Sequence, residues 1–178
     1  MKRALISSVF LLGASSAAAD TDWTGFYAGL QYVSPNAEFF EGSDQDDVPF
    51  SDTAGVFLGY DHDFGKFVLG GELTYNKFDD DGAVVGETEH YQLRARLGAD
   101  LGATLTYVTV GATKAELLDA PGGVDARGLT YGIGAEYLVN EKFSVGFEYS
   151  LNKLDEVKTL PDVEVNVDLL QLRASYRF

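Results

Sequence analysis

Asp168-Leu-Leu-Gln-Leu-Arg-Ala-Ser-Tyr-Arg-Phe178 closes the chain, and it alternates without a break. Side chains on a strand repeat every two residues, so Leu170, Leu172, Ala174, Tyr176 and Phe178 share one face while Leu169, Gln171, Arg173, Ser175 and Arg177 share the other. The first face suits hydrocarbon; the second suits a polar interior. An exposed Tyr-x-Phe needs a core or a membrane to cover it. The segment therefore reads as the last strand of a sheet with lipid on its outer side.

The same two-residue period appears upstream and gives eight strands in all. The first, residues 25–33, sets Phe26, Ala28, Leu30 and Tyr32 against Tyr27, Gly29 and Gln31; the second, 53–61, turns Ala54, Val56, Leu58 and Tyr60 outward. The third, 66–77, opposes Phe67, Leu69, Gly71, Leu73 and Tyr75 to Val68, Gly70, Glu72, Thr74 and Asn76. From Phe67 to Tyr75, steps of ~3.3 Å tilted by ~40° span roughly 20 Å, near the apolar band of a membrane barrel. The fourth strand presents Tyr91, Leu93, Ala95, Leu97 and Ala99 outward and His90, Gln92, Arg94, Arg96 and Gly98 inward. In the fifth, 103–116, Leu105 and Tyr107 favour one face while Val108, Val110 and Ala112 favour the other, and a bulge would reconcile them. The sixth, 127–138, and the seventh, 142–152, return to clean alternation, with Leu129, Tyr131, Ile133, Ala135 and Tyr137, then Phe143, Val145, Phe147, Tyr149 and Leu151, outward.

Connection lengths alternate as well. Long polar stretches, 34–52, 78–88, the one after the fifth strand, and 153–167, follow the odd-numbered strands; short turns at 62–65, 100–102 and 139–141 follow the even ones. Outer-membrane barrels have this asymmetry, with short turns in the periplasm. The outward aromatics fall at two heights. Tyr32, Tyr75, Tyr91, Tyr131 and Tyr149 lie at the loop ends, and Tyr60, Phe67, Tyr137, Phe143, Tyr176 and Phe178 at the turn ends, as two interfacial girdles would be placed. A soluble eight-stranded barrel would invert the alternation, with apolar residues inside. Charge decides between the two: Glu72, Arg94, Arg96, Glu136, Glu148 and Arg173 all fall on the Gly- and Ser-rich face, which must then be the interior. The fold expected is all-β, an eight-stranded antiparallel up-and-down transmembrane β-barrel. In its narrow lumen the six charges must pair: Glu72 with Arg94 or Arg96, Glu148 with Arg173, and Glu136 with Arg96 or Arg177.

Residues 1–19 read as a signal peptide, with Lys2 and Arg3 at its start, an apolar stretch to Gly13 and the small residues Ala17, Ala18 and Ala19 before the cleavage point. Residues 20–178 are then the barrel domain, and loss of Lys2 and Arg3 takes the net charge from −15 to −17. So acidic a chain lacks the clustered cations that phosphate backbones require, which excludes nucleic acid. No cysteine is present, so neither disulfides nor thiolate metal sites form.

The Tyr176-x-Phe178 ending resembles the C-terminal signal of bacterial outer-membrane barrels. That resemblance implies that Leu170, Leu172, Ala174, Tyr176 and Phe178 are read by the barrel-assembly machinery. The Trp23-Thr-Gly-Phe-Tyr-Ala-Gly opening and the Ser175-Tyr-Arg-Phe178 end together resemble the small barrels of the OmpA, OmpX and opacity-type family. The resemblance implies location in the cell outer membrane, contact with its lipids and lipopolysaccharide, and a structural or surface-interaction role through variable loops.

Chemistry-bearing residues are few. His62 in a turn and His90 at a loop end lie at opposite ends of the barrel, too far apart to cooperate, and His90 on the rim is expected to be solvated. The stretch 34–52 carries Glu38, Glu41, Asp44, Asp46, Asp47 and Asp52, and Asp79, Asp80 and Asp81 follow in the next loop. Neither completes a calcium-loop pattern, so both are expected to be solvated acidic loops, with Phe39, Phe40 and Phe50 packed on the rim. Gly132-Ile-Gly134 precedes no helix and makes room rather than binding phosphate. No cofactor, metal or catalytic group is expected. Three roles remain, in descending order: a surface-interaction barrel working through acidic extracellular loops and their ligand, a porin-like channel, and a lipid-modifying enzyme.

Overall fold

The computed structural model describes residues 21–41, 44–48, 52–78, 88–117, 124–157 and 164–178, with side chains at all of these except 36–41, 44–48, 117, 124, 125, 155–157, 164 and 165. The signal peptide expected at 1–19 lies outside the described residues. Among the described residues nine strands follow one another: β1 (Gly25–Glu41), β2 (Asp44–Val48), β3 (Thr53–Asp63), β4 (Phe67–Phe78), β5 (Thr88–Asp100), β6 (Thr104–Leu117), β7 (Val124–Leu138), β8 (Phe143–Val157) and β9 (Glu164–Arg177). Eight of them, β1 and β3 to β9, pair antiparallel with their sequence neighbours, and β9 returns to β1, so the sheet closes into an up-and-down barrel. The seam between β1 and β9 runs through fourteen residue pairs, from Tyr27 opposite Arg177 to Phe40 opposite Glu164.

The wall is apolar outside and polar inside. Leu30 is 67% exposed, Leu93 61% and Ile133 61%, whereas Glu72, Arg94, Glu148 and Gln171 are buried. A water-soluble barrel places its apolar residues the other way round.

Three turns share one device. Gly65 and Gly102 adopt φ of 89° and 82°, the left-handed region that favours glycine, and each donates its N–H to the aspartate two residues back: Asp63 Oδ1 at 2.6 Å and Asp100 Oδ1 at 2.7 Å. At the third turn Asn140 Oδ1 accepts the N–H groups of Lys142 and Phe143, both at 2.9 Å.

Two expectations fail in informative ways. The stretch 34–52 is not a plain loop: β1 continues to Glu41, pairs with β9 on one side, and on the other forms a hairpin with β2 from Ala37 opposite Val48 to Glu41 opposite Asp44. Above the membrane both faces of a strand are wet, so the backbone ladder persists without an apolar alternation to announce it. The other strands on this side are also longer than their alternation, β7 beginning at Val124 and β8 running to Val157. The fifth predicted strand, now β6, has no bulge; its ladders to β5 and β7 run without a shift. Leu105 and Tyr107 point inward, and Val108 and Val110 outward. The register shift occurs instead between β7 and β8, at Arg127 and Gly128.

Candidate functional site

The interior is filled in layers from the turn side to the loop side. At the turn-side mouth Trp23, the chain's single tryptophan, is completely buried against Val68, Leu105 and Leu138. Its indole N–H donates to Gly102 O at 3.0 Å, and its backbone N–H to Asp63 Oδ2 at 3.1 Å. Arg177 donates to the carbonyl of Trp23, pairs with buried Asp61 at 3.3 Å and lies over the Trp23 ring at 5.0 Å. This plug explains the inward Leu105: the mouth needs an apolar floor beneath the indole. Trp23 carries no signal in the alternation because it precedes β1, and Asp61 escapes notice because it stands at the last buried position toward the turn end of β3, beyond the last residue the alternation turns outward, Tyr60.

The charged layer lies above it. Arg94 bridges Glu72 and Glu148, and Arg173 bridges the same two carboxylates from the other side. Two bases and two acids thus form a closed ring, each group within the nine-tenths-buried interior. Arg96 reaches Glu136 at 2.6 Å, and Ser144 Oγ donates to the same carboxyl at 2.5 Å. Of the expected alternatives Glu72 takes Arg94, which faces it across the β4–β5 ladder, as its close partner and has Arg96 at 4.0 Å, and Glu136 pairs with Arg96; Glu148 meets Arg173 as reasoned, and shares Arg94 in addition. Arg177, the other candidate for Glu136, serves Asp61 instead.

Aromatic rings fill the remaining width. Arg96 stacks over Tyr107 at 3.8 Å and Arg173 over Phe57 at 3.9 Å, while Tyr27 Oη donates to Glu72 at 3.0 Å and Tyr107 Oη to Glu148 at 3.1 Å. Such rings need gaps in the facing wall. A Cβ built at Gly134 would lie 2.5 Å from the Tyr107 ring, so the Gly-x-Gly of β7 makes room for a specific side chain.

Toward the loops the charge gives way to neutral groups. Gln92 donates to Asn152 at 2.7 Å, Gln31 to Asn76 at 2.7 Å, and Gln171 to Ser150 at 2.9 Å. His90 belongs to this layer. Contrary to the expectation of a solvated rim residue, it is buried, 2.7 Å from Thr113 Oγ1 and 3.4 Å from Asn76 Nδ2, because Phe78 and the ends of β4 and β6 cover it. His62 lies at the other end, exposed and edge-on to Phe64. Val33, Phe78 and Leu169 form an apolar cluster at the loop-side end.

Outside, the predicted aromatics occupy two bands. Tyr75 and Tyr91 face each other with ring centroids 5.1 Å apart and both donate to Glu89, at 3.0 and 2.7 Å; Tyr149 donates to Asp168 at 2.6 Å, and Tyr32 donates to Asp52. Tyr131, opposite Val110 and Leu151, completes this level. At the turn side Tyr60 packs on Phe26 at 4.9 Å, Phe67 stacks on Phe64 at 4.7 Å, and Phe143, Tyr176 and Phe178 form a chain with 5.1 Å spacings, with Tyr137 exposed nearby in the ladder. Leu170, Leu172 and Ala174 lie outward along β9, and Phe178, 77% exposed, donates its N–H to Phe26 O at 3.0 Å.

Among the described residues no group of three or more His, Cys, Asp or Glu is placed to hold a metal. Of the acidic residues expected in the loops only Asp52 has a described side chain; Glu38, Glu41, Asp44, Asp46, Asp47 and Asp79 to Asp81, like the rings of Phe39, Phe40 and Phe50, lie outside the described side chains.

The barrel is similar to several solved ones. Ail, the attachment invasion locus protein of Yersinia pestis, aligns over 87% of this chain and 99% of its own, with a TM-score of 0.59 and 20% identity. Neisserial surface protein A aligns over 87% and 98%, with a TM-score of 0.58 and 15% identity. The N-terminal β-barrel domain of Pseudomonas aeruginosa OprF aligns over 85% and 97%, with a TM-score of 0.54 and 17% identity. Among curated protein sequences none matches the chain. These structural likenesses bear on the fold, and the sequence itself carries the assignment: the profile of the outer membrane protein β-barrel domain matches residues 5–178, so the chain belongs to that family.

Proposed function

We propose that this protein is a closed, non-conducting outer-membrane barrel that acts at the cell surface through its loop side, with structural support of the envelope and binding of an external ligand as its work. The observation that carries this reading is the filled lumen. Trp23 with Arg177 closes the turn-side mouth, and above it the ring of Glu72, Arg94, Glu148 and Arg173 leaves its charges neutralised by one another. A conducting pore needs a continuous file of water, and eight strands enclose only the width that these side chains occupy. The porin-like alternative is disfavoured on this ground. A lipid-modifying role would need a nucleophile or base at the rim, and His90 is instead buried among Thr113, Asn76 and Phe78.

With the short turns in the periplasm, the extended β1–β2 hairpin and the other loop-side strand ends project outward. The acidity of residues 34–52 and 79–81 favours a cationic or basic partner. Assembly is assigned to the barrel-assembly machinery acting on the strand that ends at Phe178.

Planar-bilayer recording of the purified, refolded protein tests the reading. Closed traces with rare small events are expected; stable openings comparable to those of large porins would overturn it. Turnover of lipid A by the same sample would instead establish the enzyme.

A further inference from the structure

Ahead of β1, residues 21–24 belong to no strand, yet Trp23 within them is completely buried. Its three polar groups go to three separate parts of the chain. The indole N–H donates to Gly102 O at 3.0 Å in the turn between β5 and β6, the backbone N–H donates to Asp63 Oδ2 at 3.1 Å at the end of β3, and the carbonyl accepts from Arg177 of β9. Asp63 returns the contact, its own N–H donating to Thr24 Oγ1 at 3.1 Å. The indole packs with Val68 of β4, Leu105 of β6 and Leu138 of β7. A single residue is thus tied to strands from all round the barrel. Arg177 extends the tie inward, since its guanidinium lies over the rings of Trp23 and Tyr27, at 5.0 and 5.1 Å, and Tyr27 donates to Glu72 of the charged ring.

This geometry fixes an order of events. In an open sheet β1 has the β3–β4 hairpin beside it, so Asp63 and Val68 are within its reach. Gly102 and Leu105 are not: β6 stands four places along the sheet from β1, roughly 19 Å when the sheet lies flat. Arg177 is farther still, at the opposite edge, until it comes to face Tyr27 in the β1–β9 seam. The Trp23 cradle is therefore complete only in the closed barrel. The pairing of Glu72 with Arg94 differs, because β4 and β5 are neighbours in any sheet that contains both.

We propose that Trp23 is a closing latch: the segment ahead of β1 docks in the turn-side mouth only after β9 has paired with β1, and it then holds the barrel shut. Contacts that are absent while the strands are still being gathered do not speed assembly; they slow the reverse step, opening. Complete burial of a tryptophan is among the largest contributions one side chain makes. The latch thereby turns a seam of backbone hydrogen bonds into a kinetically durable closure. It acts whatever partner the loop side binds, and its test is separate from conductance.

The test uses the full chain refolded into lipid vesicles, with the compact, heat-modifiable band as the measure of closure. Trp23→Ala is expected to form this band within about twofold of the parent rate and to lose it in urea at least about a hundredfold faster. Trp23→Phe keeps a ring without the indole N–H, and is expected to unfold about three- to tenfold faster at an unchanged folding rate. Folding slowed beyond that twofold margin, or unfolding at the parent rate, would overturn the latch. Since Trp23 is the chain's single tryptophan, the parent reports docking directly, which covers the case in which neither variant folds. In the lumen its fluorescence is protected both from aqueous iodide and from brominated acyl chains. That double protection is expected to arise with or after the compact band. Double protection complete while the band is still absent would overturn the order of events and the latch with it.

Discussion

Arg173→Ala removes one side of the charged ring. The parent ring is neutral, with Arg94 and Arg173 each spanning Glu72 and Glu148; the variant leaves two carboxylates on a single guanidinium, with a net charge of −1 in a site whose side chains are at most 3% exposed. It also strips the cation from the Phe57 face, 3.9 Å away. Breaking a buried pair by removing one partner costs about 3–5 kcal/mol, mainly because the remaining charge is uncompensated. The value falls toward the lower bound if water enters the space left by the side chain. Urea unfolding of the refolded barrel in lipid vesicles, followed by Trp23 fluorescence and heat-modifiable migration, measures the loss. Glu148→Gln in the Arg173→Met background restores neutrality, so the double variant is expected to be more stable than the sum of the two single losses, by about 1–3 kcal/mol. A loss below about 0.5 kcal/mol for Arg173→Ala, or strict additivity in the double variant, would refute the ring as a coupled unit.

Other outcomes follow from individual contacts. Tyr107→Phe removes a donor from Glu148 at 3.1 Å and is expected to cost about 1.5–3 kcal/mol in the same unfolding assay, as for a hydrogen bond to a charged group. Gly134→Val drives a side chain into the Tyr107 ring and is expected to destabilise by about 1–3 kcal/mol, whereas Ala at the exposed Gly71 position, where the nearest atom is 3.9 Å away, is expected to be tolerated. Deleting Phe178 is expected to abolish surface assembly in cells while leaving refolding in detergent intact, because its ring is exposed; normal levels of heat-modifiable barrel in the deletion strain would remove its signalling role. Protease added to intact cells is expected to cleave on the loop side and to spare the turn at Gly65; cleavage at Gly65 would invert the topology.

The readable part of this sequence is the part buried in a bilayer. There one face of each strand must be apolar and the other polar, so Leu170 to Phe178 or Phe67 to Tyr75 announce both strand and facing. The pairing of Glu72 with Arg94 or Arg96 and of Glu148 with Arg173 also follows, since adjacent strands in an up-and-down barrel are adjacent in sequence, and the structure supplies the choice of Arg94 as the close partner. Alternation has no information about strands in water, which is why β1 and β2 beyond Val33 escaped it. Nor does it tell a polar interior from an apolar patch within it: Leu105 and Tyr107 are inward because Trp23 needs a floor and Arg96 a ring, two long-range contacts with no local trace. His90 is hidden for the same reason, its cover coming from neighbouring strands rather than from its own.

The fourteen-pair seam joins the earliest strand of the chain to the latest. Until the final residues exist, every partial sheet presents two raw edges, each a row of unpaired N–H and C=O groups open to any passing strand. Ring closure also brings together segments separated by almost the whole sequence, an entropically slow event that gives aggregation its opportunity. Closure of the sheet therefore waits on the pairing of β9 with β1, and no earlier strand can complete it. Its last strand is therefore the logical point of control, since whatever holds β9 decides when the cylinder shuts.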